Sequence, residues 1–245
     1  MSQIQTIEAI VVDKLNYSDT SKIVQLFGKT TGKISAIIKG GRGSNAKVGR
    51  VIDSFNHVNA IIYFKENRDL QTIFDAELLT YHAGIREDFT TLAYAGAALE
   101  LIKTVVPDHQ PNTRLFNGLK RILDRFNSAD EAPEMLFARF FLFFLEEEGY
   151  GINTHHCNAC GTEFTDEGQK GFLYDTGLIC NNCIKQGKDV KWISKELFII
   201  FKGLKEGKTV ESSRTSEVKI VLRLLDKYVR MHIPGFQGLR SLQLV

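Results

Sequence analysis

The 245-residue sequence predicts an α+β, multidomain chain: a small N-terminal five-stranded β-barrel, then an all-α domain with an inserted four-cysteine knuckle. Three observations carry that expectation. β-branched residues dominate the apolar segments before about Tyr81, the apolar spacing becomes helical after it, and all four cysteines lie between Cys157 and Cys183.

The strands come first. "TIEAIVVDKL", "SKIVQLFG", "KISAIIKG", "SFNHVNAIIYF" and "LQTIFDAELL" are apolar runs separated by turn or charged breaks, with "GKTTG" and "KENRD" reading as hairpin connections. Five short strands closing on themselves fit an oligonucleotide-binding (OB-fold-like) barrel, and an SH3-like barrel would use the same number. Between Thr20 and Ile52 stand Lys22, Lys29, Lys33, Lys39, Arg42, Lys47 and Arg50, and no acid, although the chain as a whole carries a formal charge of only +2. Within "KGGRGSNAKVGR", Lys39 to Arg50, the cations alternate with glycines and small residues that open the backbone to a ligand, as a polyanion site requires. Lys39, Arg42, Lys47 and Arg50 are the first-rank phosphate contacts, and Lys22 and Lys33 the second. "GKTTGK" is not a nucleotide phosphate loop: Ile23 stands where the motif needs its first glycine, and a strand follows instead of a helix. Phe27, Phe55, Tyr63 and Phe64 could stack on bases, but strand aromatics are ordinarily core.

Helices follow. Leu92, Ala95, Leu99 and Ile102 recur at helical spacing, and "TRLFNGLKRILDRF" places Leu115, Leu119, Ile122 and Phe126 on one face. Pro133 opens a third helix behind Ser128 and Asp130. Its stretch "MLFARFFLFFL" is too short to span a bilayer and contains Arg139, so it reads as the buried centre of the helical domain, packed by the two helices before it. "SKELFIIFKGLKEG" and "EVKIVLRLLDKYVRMHI" add two amphipathic helices, the second with Val218, Val221, Leu222, Leu225 and Val229 inward. The expected division is 1–80 barrel, 81–150 first helical part, 151–190 cysteine insertion and 191–245 last helical part.

Two Cys-x-x-Cys pairs, Cys157 with Cys160 and Cys180 with Cys183, have the spacing of a structural zinc site. With no charged-then-apolar leader, the chain reads as cytoplasmic, which disfavours disulfides, and a redox Cys-x-x-Cys ordinarily stands alone. His155 and His156 precede the first pair and read as loop residues. A closed four-thiolate site has no position for water or substrate, so the Zn²⁺ is structural and implies no enzyme. No acid, base and nucleophile converge elsewhere, so the expectation is no catalytic residue and no small-molecule substrate. A composition of 43% hydrophobic and 24% charged residues is that of an ordinary globular chain, with no apolar run long enough for a membrane. A zinc-containing protein–protein adaptor without DNA binding is the alternative function; strongly salt-dependent oligonucleotide binding separates the two.

The order of parts, with "NYSDTSKIVQLFGKTTGKISAIIKGGRGS", "CNAC", "CNNC" and "RMHIPGFQGLRSLQLV", resembles the bacterial recombination-mediator and DNA-repair family RecO over nearly the whole chain. That resemblance implies binding of single- and double-stranded DNA. It also implies annealing of complementary strands coated by single-strand binding protein, and loading of RecA with the help of RecR, in a cytoplasmic, nucleoid-associated protein without a cofactor reaction. It places Lys39, Arg42, Lys47 and Arg50 in the basic barrel loop and the four cysteines at the zinc site, which members of the family do not all keep. It further implies docking of the acidic C-terminal tail of single-strand binding protein, for which Arg114, Lys120, Arg121 and Arg125 beside an apolar helical stripe are the candidate residues.

Overall fold

The structure, a computed structural model, describes residues 3–43, 46–184 and 189–245; Ser44 and Asn45 of the basic loop lie outside the described residues. The five expected strands form as β1 (Gln3–Tyr17), β2 (Ser21–Gly28), β3 (Gly32–Ile38), β4 (His57–Phe64) and β5 (Leu70–Thr80). They close into a barrel of order β1-β2-β3-β5-β4, in which only β3 and β5 run parallel. Every second residue points inward, as the period of a strand demands. Ile7, Ala9, Val11, Val24, Leu26, Ile34, Ala36, Ile38, Val58, Ala60, Ile62 and Ile73 fill the interior. In β1 that alternation breaks at a bulge between Val11 and Asp13. A short helix that periodicity cannot reveal, α1 (Lys47–Val51), sits in the crossover from β3 to β4.

The chain divides into two compact units, Met1–Ser128 with Ser241–Val245, and Ala129–Arg240. This grouping differs from the one read off the sequence. Helices α2 (Phe89–Val105) and α3 (Thr113–Ser128) belong with the barrel, whereas α4 (Pro133–Glu147) packs against α5 (Lys195–Lys205) and α6 (Thr215–His232). An apolar stripe tells which face of a helix is buried but not what buries it. The stripe of α3 meets the outside of the barrel: Phe116 is fully buried, with its ring centroid 6.2 Å from that of Phe27 and 6.1 Å from that of His57. α2 begins at Asp88, whose carboxylate accepts from the Thr91 backbone N–H at 2.7 Å. The end of the chain is tied to α2 by Ser241, whose backbone N–H and Oγ donate to Glu100 Oε2 at 3.1 and 3.0 Å.

In the second unit the apolar helix α4 is the core, as its all-round hydrophobicity demands. Its one interior cation, Arg139, reaches Glu131 at 2.6 Å and the Lys208 carbonyl at 2.9 Å. Between α4 and α5 lies a three-stranded sheet of order β7-β6-β8, made of β6 (Lys170–Leu173), β7 (Gly177–Ile179) and β8 (Lys191–Ile193). These strands, of three or four residues each, are too short to carry a legible period. Phe116→Ala removes the wedge that joins α3 to the barrel and should lower stability by about 3–5 kcal/mol in urea unfolding.

Candidate nucleic-acid interface and metal centre

The seven cations between Thr20 and Ile52 are sorted by the fold into two groups. Three are committed to the scaffold. Lys29 Nζ meets Glu8 at 2.8 Å, and chiefly that hydrogen bond holds the carboxyl below its ordinary range. Lys22 Nζ donates to the Gly49 carbonyl at 2.9 Å and so braces α1. Lys33 is only 8% exposed, with Nζ donating to the Lys103 carbonyl at 2.7 Å and paired with Asp108 at 3.4 Å. Burial and these two partners remove Lys33 from the surface that a phosphate could reach, contrary to its second-rank place in the sequence reading.

Lys39, Arg42, Lys47 and Arg50 are all exposed. They sit on the crossover between β3 and β4, which is held firmly. The Arg42 backbone N–H donates to the Thr20 carbonyl at 3.0 Å and Arg42 Nη1 to the Ser18 carbonyl at 2.6 Å, clipping the crossover to the β1–β2 turn. Gly49 is buried so closely that a Cβ there would lie 1.9 Å from the Gly41 carbonyl oxygen, which explains one glycine of the loop without any ligand. Val48 and Val51 pack on the barrel interior and Ile52 is fully buried, so α1 turns its apolar side down and leaves Lys47 and Arg50 facing water. The result is four cations on a fixed scaffold at one end of the barrel, an arrangement suited to spaced phosphates.

Among the strand aromatics, Phe27 and Phe55 are buried and Phe64 packs partly into the core. Tyr63 departs from the core expectation: it is exposed and lies against Phe74, centroids 4.7 Å apart. On α3, Arg114 and Arg121 are exposed, Lys120 and Arg125 half-buried, and Lys120 pairs with Asp124 at 3.3 Å. The apolar stripe beside them is already buried, with Leu115, Phe116, Leu119, Leu123 and Phe126 all nearly inaccessible. The helix therefore supplies a charged edge but no open apolar slot.

The four cysteines come together in the second unit, with all their sulfur atoms within 4.8 Å of one another. Cys160 Sγ lies 3.7 Å from Cys180 Sγ, near the ~3.75 Å edge that a tetrahedron of ~2.3 Å metal–sulfur bonds requires. Each pair is a tight turn: Gly161 N–H donates to the Cys157 carbonyl at 2.9 Å, with Gly161 at φ +75°, and Cys183 N–H donates to the Cys180 carbonyl at 3.0 Å. The Cys180 N–H points at Cys157 Sγ from 3.3 Å, a contact that stabilises thiolate. The thiols titrate unequally. Hydrogen bonds led by the Thr162 hydroxyl draw Cys160 down to about 6, while the hydrogen bond to Cys160 leads the effects that push Cys183 up to about 12. So close a set cannot all ionise without a cation among them. The donors fit one thiophilic metal ion. His155 and His156 stand outside the cluster, His155 being paired with Glu206 at 3.3 Å.

Among the described residues no helix is long and apolar enough to cross a membrane. Residues 1–82 match the family described as "Recombination protein O N terminal", and residues 86–243 match "Recombination protein O C terminal". The chain is 31% identical over 184 residues to a DNA repair protein RecO of Geobacter metallireducens, covering 75% of this chain and 74% of that one. It is 32% identical over 191 residues to that of Pelobacter propionicus, covering 78% and 76%. Against the Chlorobium limicola protein of the same name the identity is 26% over 249 residues, covering 97% and 95%. The N- and C-terminal models thus follow one another along nearly the whole chain, and the chain belongs to the recombination protein O family of DNA-repair proteins.

Proposed function

We propose that this chain is a non-enzymatic recombination mediator that binds single- and double-stranded DNA, anneals complementary strands coated by single-strand binding protein and, with RecR, helps load RecA. Its working place is then the cytoplasm, on the nucleoid. The observation that carries this reading is the sorting of the basic block, with Lys39, Arg42, Lys47 and Arg50 outward on one braced crossover. A protein-only adaptor has no need of such an arrangement. Phosphate contacts give affinity without sequence readout and leave base edges free to find a complement, which suits annealing.

The metal is read as zinc in a closed, structural Cys157, Cys160, Cys180, Cys183 site, with no position for a reacting water. The tail of single-strand binding protein is the second proposed ligand. Its chemistry calls for an apolar floor edged by cations, and α3 offers only the edge. A concavity of about 690 Å³ in the second unit offers both, lined by Leu173, Tyr174 and Met231, by Lys227 and Arg230, and by Asp175, Asp189 and Asp226. Arg230 holds Asp226 at 2.7 Å, and Lys227 Nζ lies 4.1 Å from the Tyr174 ring centroid.

Lys47→Ala with Arg50→Ala should weaken binding to all DNA sequences alike and lower the slope of log affinity against log salt by roughly one to two units. A sequence-selective loss, or none, would count against the loop. The purified protein should hold about one equivalent of zinc, released by acid as the thiolates protonate, and Cys157→Ser should lose the metal and the order of the second unit. The salt slope of that variant should stay at the wild-type value, because the cations lie in the other unit. For the tail, Lys227→Glu should cost an acidic peptide with an apolar end and free carboxylate roughly tenfold in affinity, while Arg121→Glu with Arg125→Glu should not. The opposite ranking would return the dock to α3.

A further inference from the structure

The outer face of β1, β2 and β3 is covered along only half its length. At one end Phe27 lies under Phe116 of α3, Lys33 is buried by the end of α2, and Lys103 pairs with Asp13 at 2.5 Å. At the other end the same face is open. Leu15 is 63% exposed and Tyr17 is 52% exposed, large apolar surfaces that no described residue covers. Strand register aligns them with the basic crossover. Tyr17 pairs with Ser21, and the pairing of Lys22 with Ile38 sets Ser21 across from Lys39; Leu15 pairs with Ile23, and Ile23 with Ile37. Val24, the neighbour of Ile23, is in the barrel interior, so Leu15 and Tyr17 are on the outside. Arg42 binds the carbonyls of Ser18 and Thr20 in the turn directly after Tyr17. Two nearby acids are neutralised, Asp13 by Lys103 and Asp53 by Lys14, and Asp19 of the turn is outnumbered by the four exposed cations of the crossover.

We propose that Tyr17 is a base-stacking residue that distinguishes a single DNA strand from a duplex, with Lys39 and Arg42 taking the phosphates on either side of the stacked base. This rests on the DNA-binding reading above and adds to it the kind of strand and the residue that selects it. An exposed ring beside cations offers a π-face to any unpaired base, whereas the bases of a duplex are already stacked on one another. Stacking leaves the pairing edge of the base open, so a strand held this way is still able to meet its complement. The turn between β1 and β2 is also one of the two loops through which five-stranded barrels of this type hold oligonucleotides.

The test compares the wild-type chain with Tyr17→Ala, Tyr17→Phe and Lys47→Ala/Arg50→Ala, by fluorescence anisotropy on a single-stranded oligonucleotide and on a duplex of equal length. Tyr17→Ala should weaken the single strand roughly 5- to 150-fold, the equivalent of one lost stack. Duplex affinity and the salt slope should not change, and Tyr17→Phe should restore binding. Unchanged single-strand affinity in Tyr17→Ala, equal losses on both DNAs, or no recovery with Tyr17→Phe would each overturn the stacking role. If Lys47→Ala/Arg50→Ala is silent while Tyr17→Ala loses the single strand alone, the loop reading fails and the stack stands. A wild-type chain that binds neither DNA overturns both.

Discussion

The parallel pairing of β3 with β5 constrains everything at the end of the barrel that carries the basic crossover. Because the chain cannot return from β3 by a hairpin and still close the barrel in this order, the residues from Lys39 to Asn56 must cross the barrel mouth before β4 begins. A crossing over an open core has to bury something, and Val48, Val51 and Ile52 supply it. The opposite side of the same segment meets water, and there Lys39, Arg42, Lys47 and Arg50 reside. The placement of the cations is thus a consequence of how the barrel closes.

The end of the crossing is joined to β1 at the bulge. The Val11 N–H donates to the Asn56 carbonyl and the Phe55 N–H to the Val11 carbonyl, both at 3.0 Å, with Phe55 at φ +72° and the Asn56 amide bonded to the Val51 carbonyl at 2.9 Å. An extra residue in a strand reverses its alternation beyond that point. Ile7, Ala9 and Val11 face inward before the bulge, whereas after it Lys14 and Asn16 lie on the inner side and Leu15 and Tyr17 on the outer one. The joint that seats the basic crossover is therefore the same feature that turns Tyr17 outward next to it.

The sequence exposed the parts with a strong local signature. Five strands, five amphipathic or apolar helices and the convergence of Cys157, Cys160, Cys180 and Cys183 all follow from periodicity and spacing, and all are present. What it could not show was set by tertiary choice. α1 is too short to carry a period, and the strands around Lys170–Leu173 are shorter still. α3 displays a clear stripe, yet only the packing of Phe116 on Phe27 reveals that the barrel receives it. Glycine content ranked the loop cations above Lys22 and Lys33, but nothing local shows that the Lys33 ammonium lies under α2 whereas Lys39, six residues later, meets water. Tyr17 was missed because a bulge, not a pattern, decides which way it points.

The cysteine cluster answers a different need. Its knuckles belong to a unit whose core is α4 with α5 and α6 and which carries the short three-stranded sheet. Phe172 of that sheet packs 6.4 Å from Phe201 of α5 and 6.1 Å from Tyr228 of α6, centroid to centroid, so the sheet is pinned to the helices on one side. On the other side the backbone runs into the sulfur atoms: the Asn158 N–H donates to the Leu178 carbonyl at 2.9 Å, and Cys180 follows β7 directly. A metal ion there would tie the end of β7 to the first knuckle, adding a cross-link to strands that are already buried. Electrostatics and cross-linking are thereby allotted to separate units, and a relative that loses the thiolates must stabilise this sheet by packing while its basic crossover can remain unchanged.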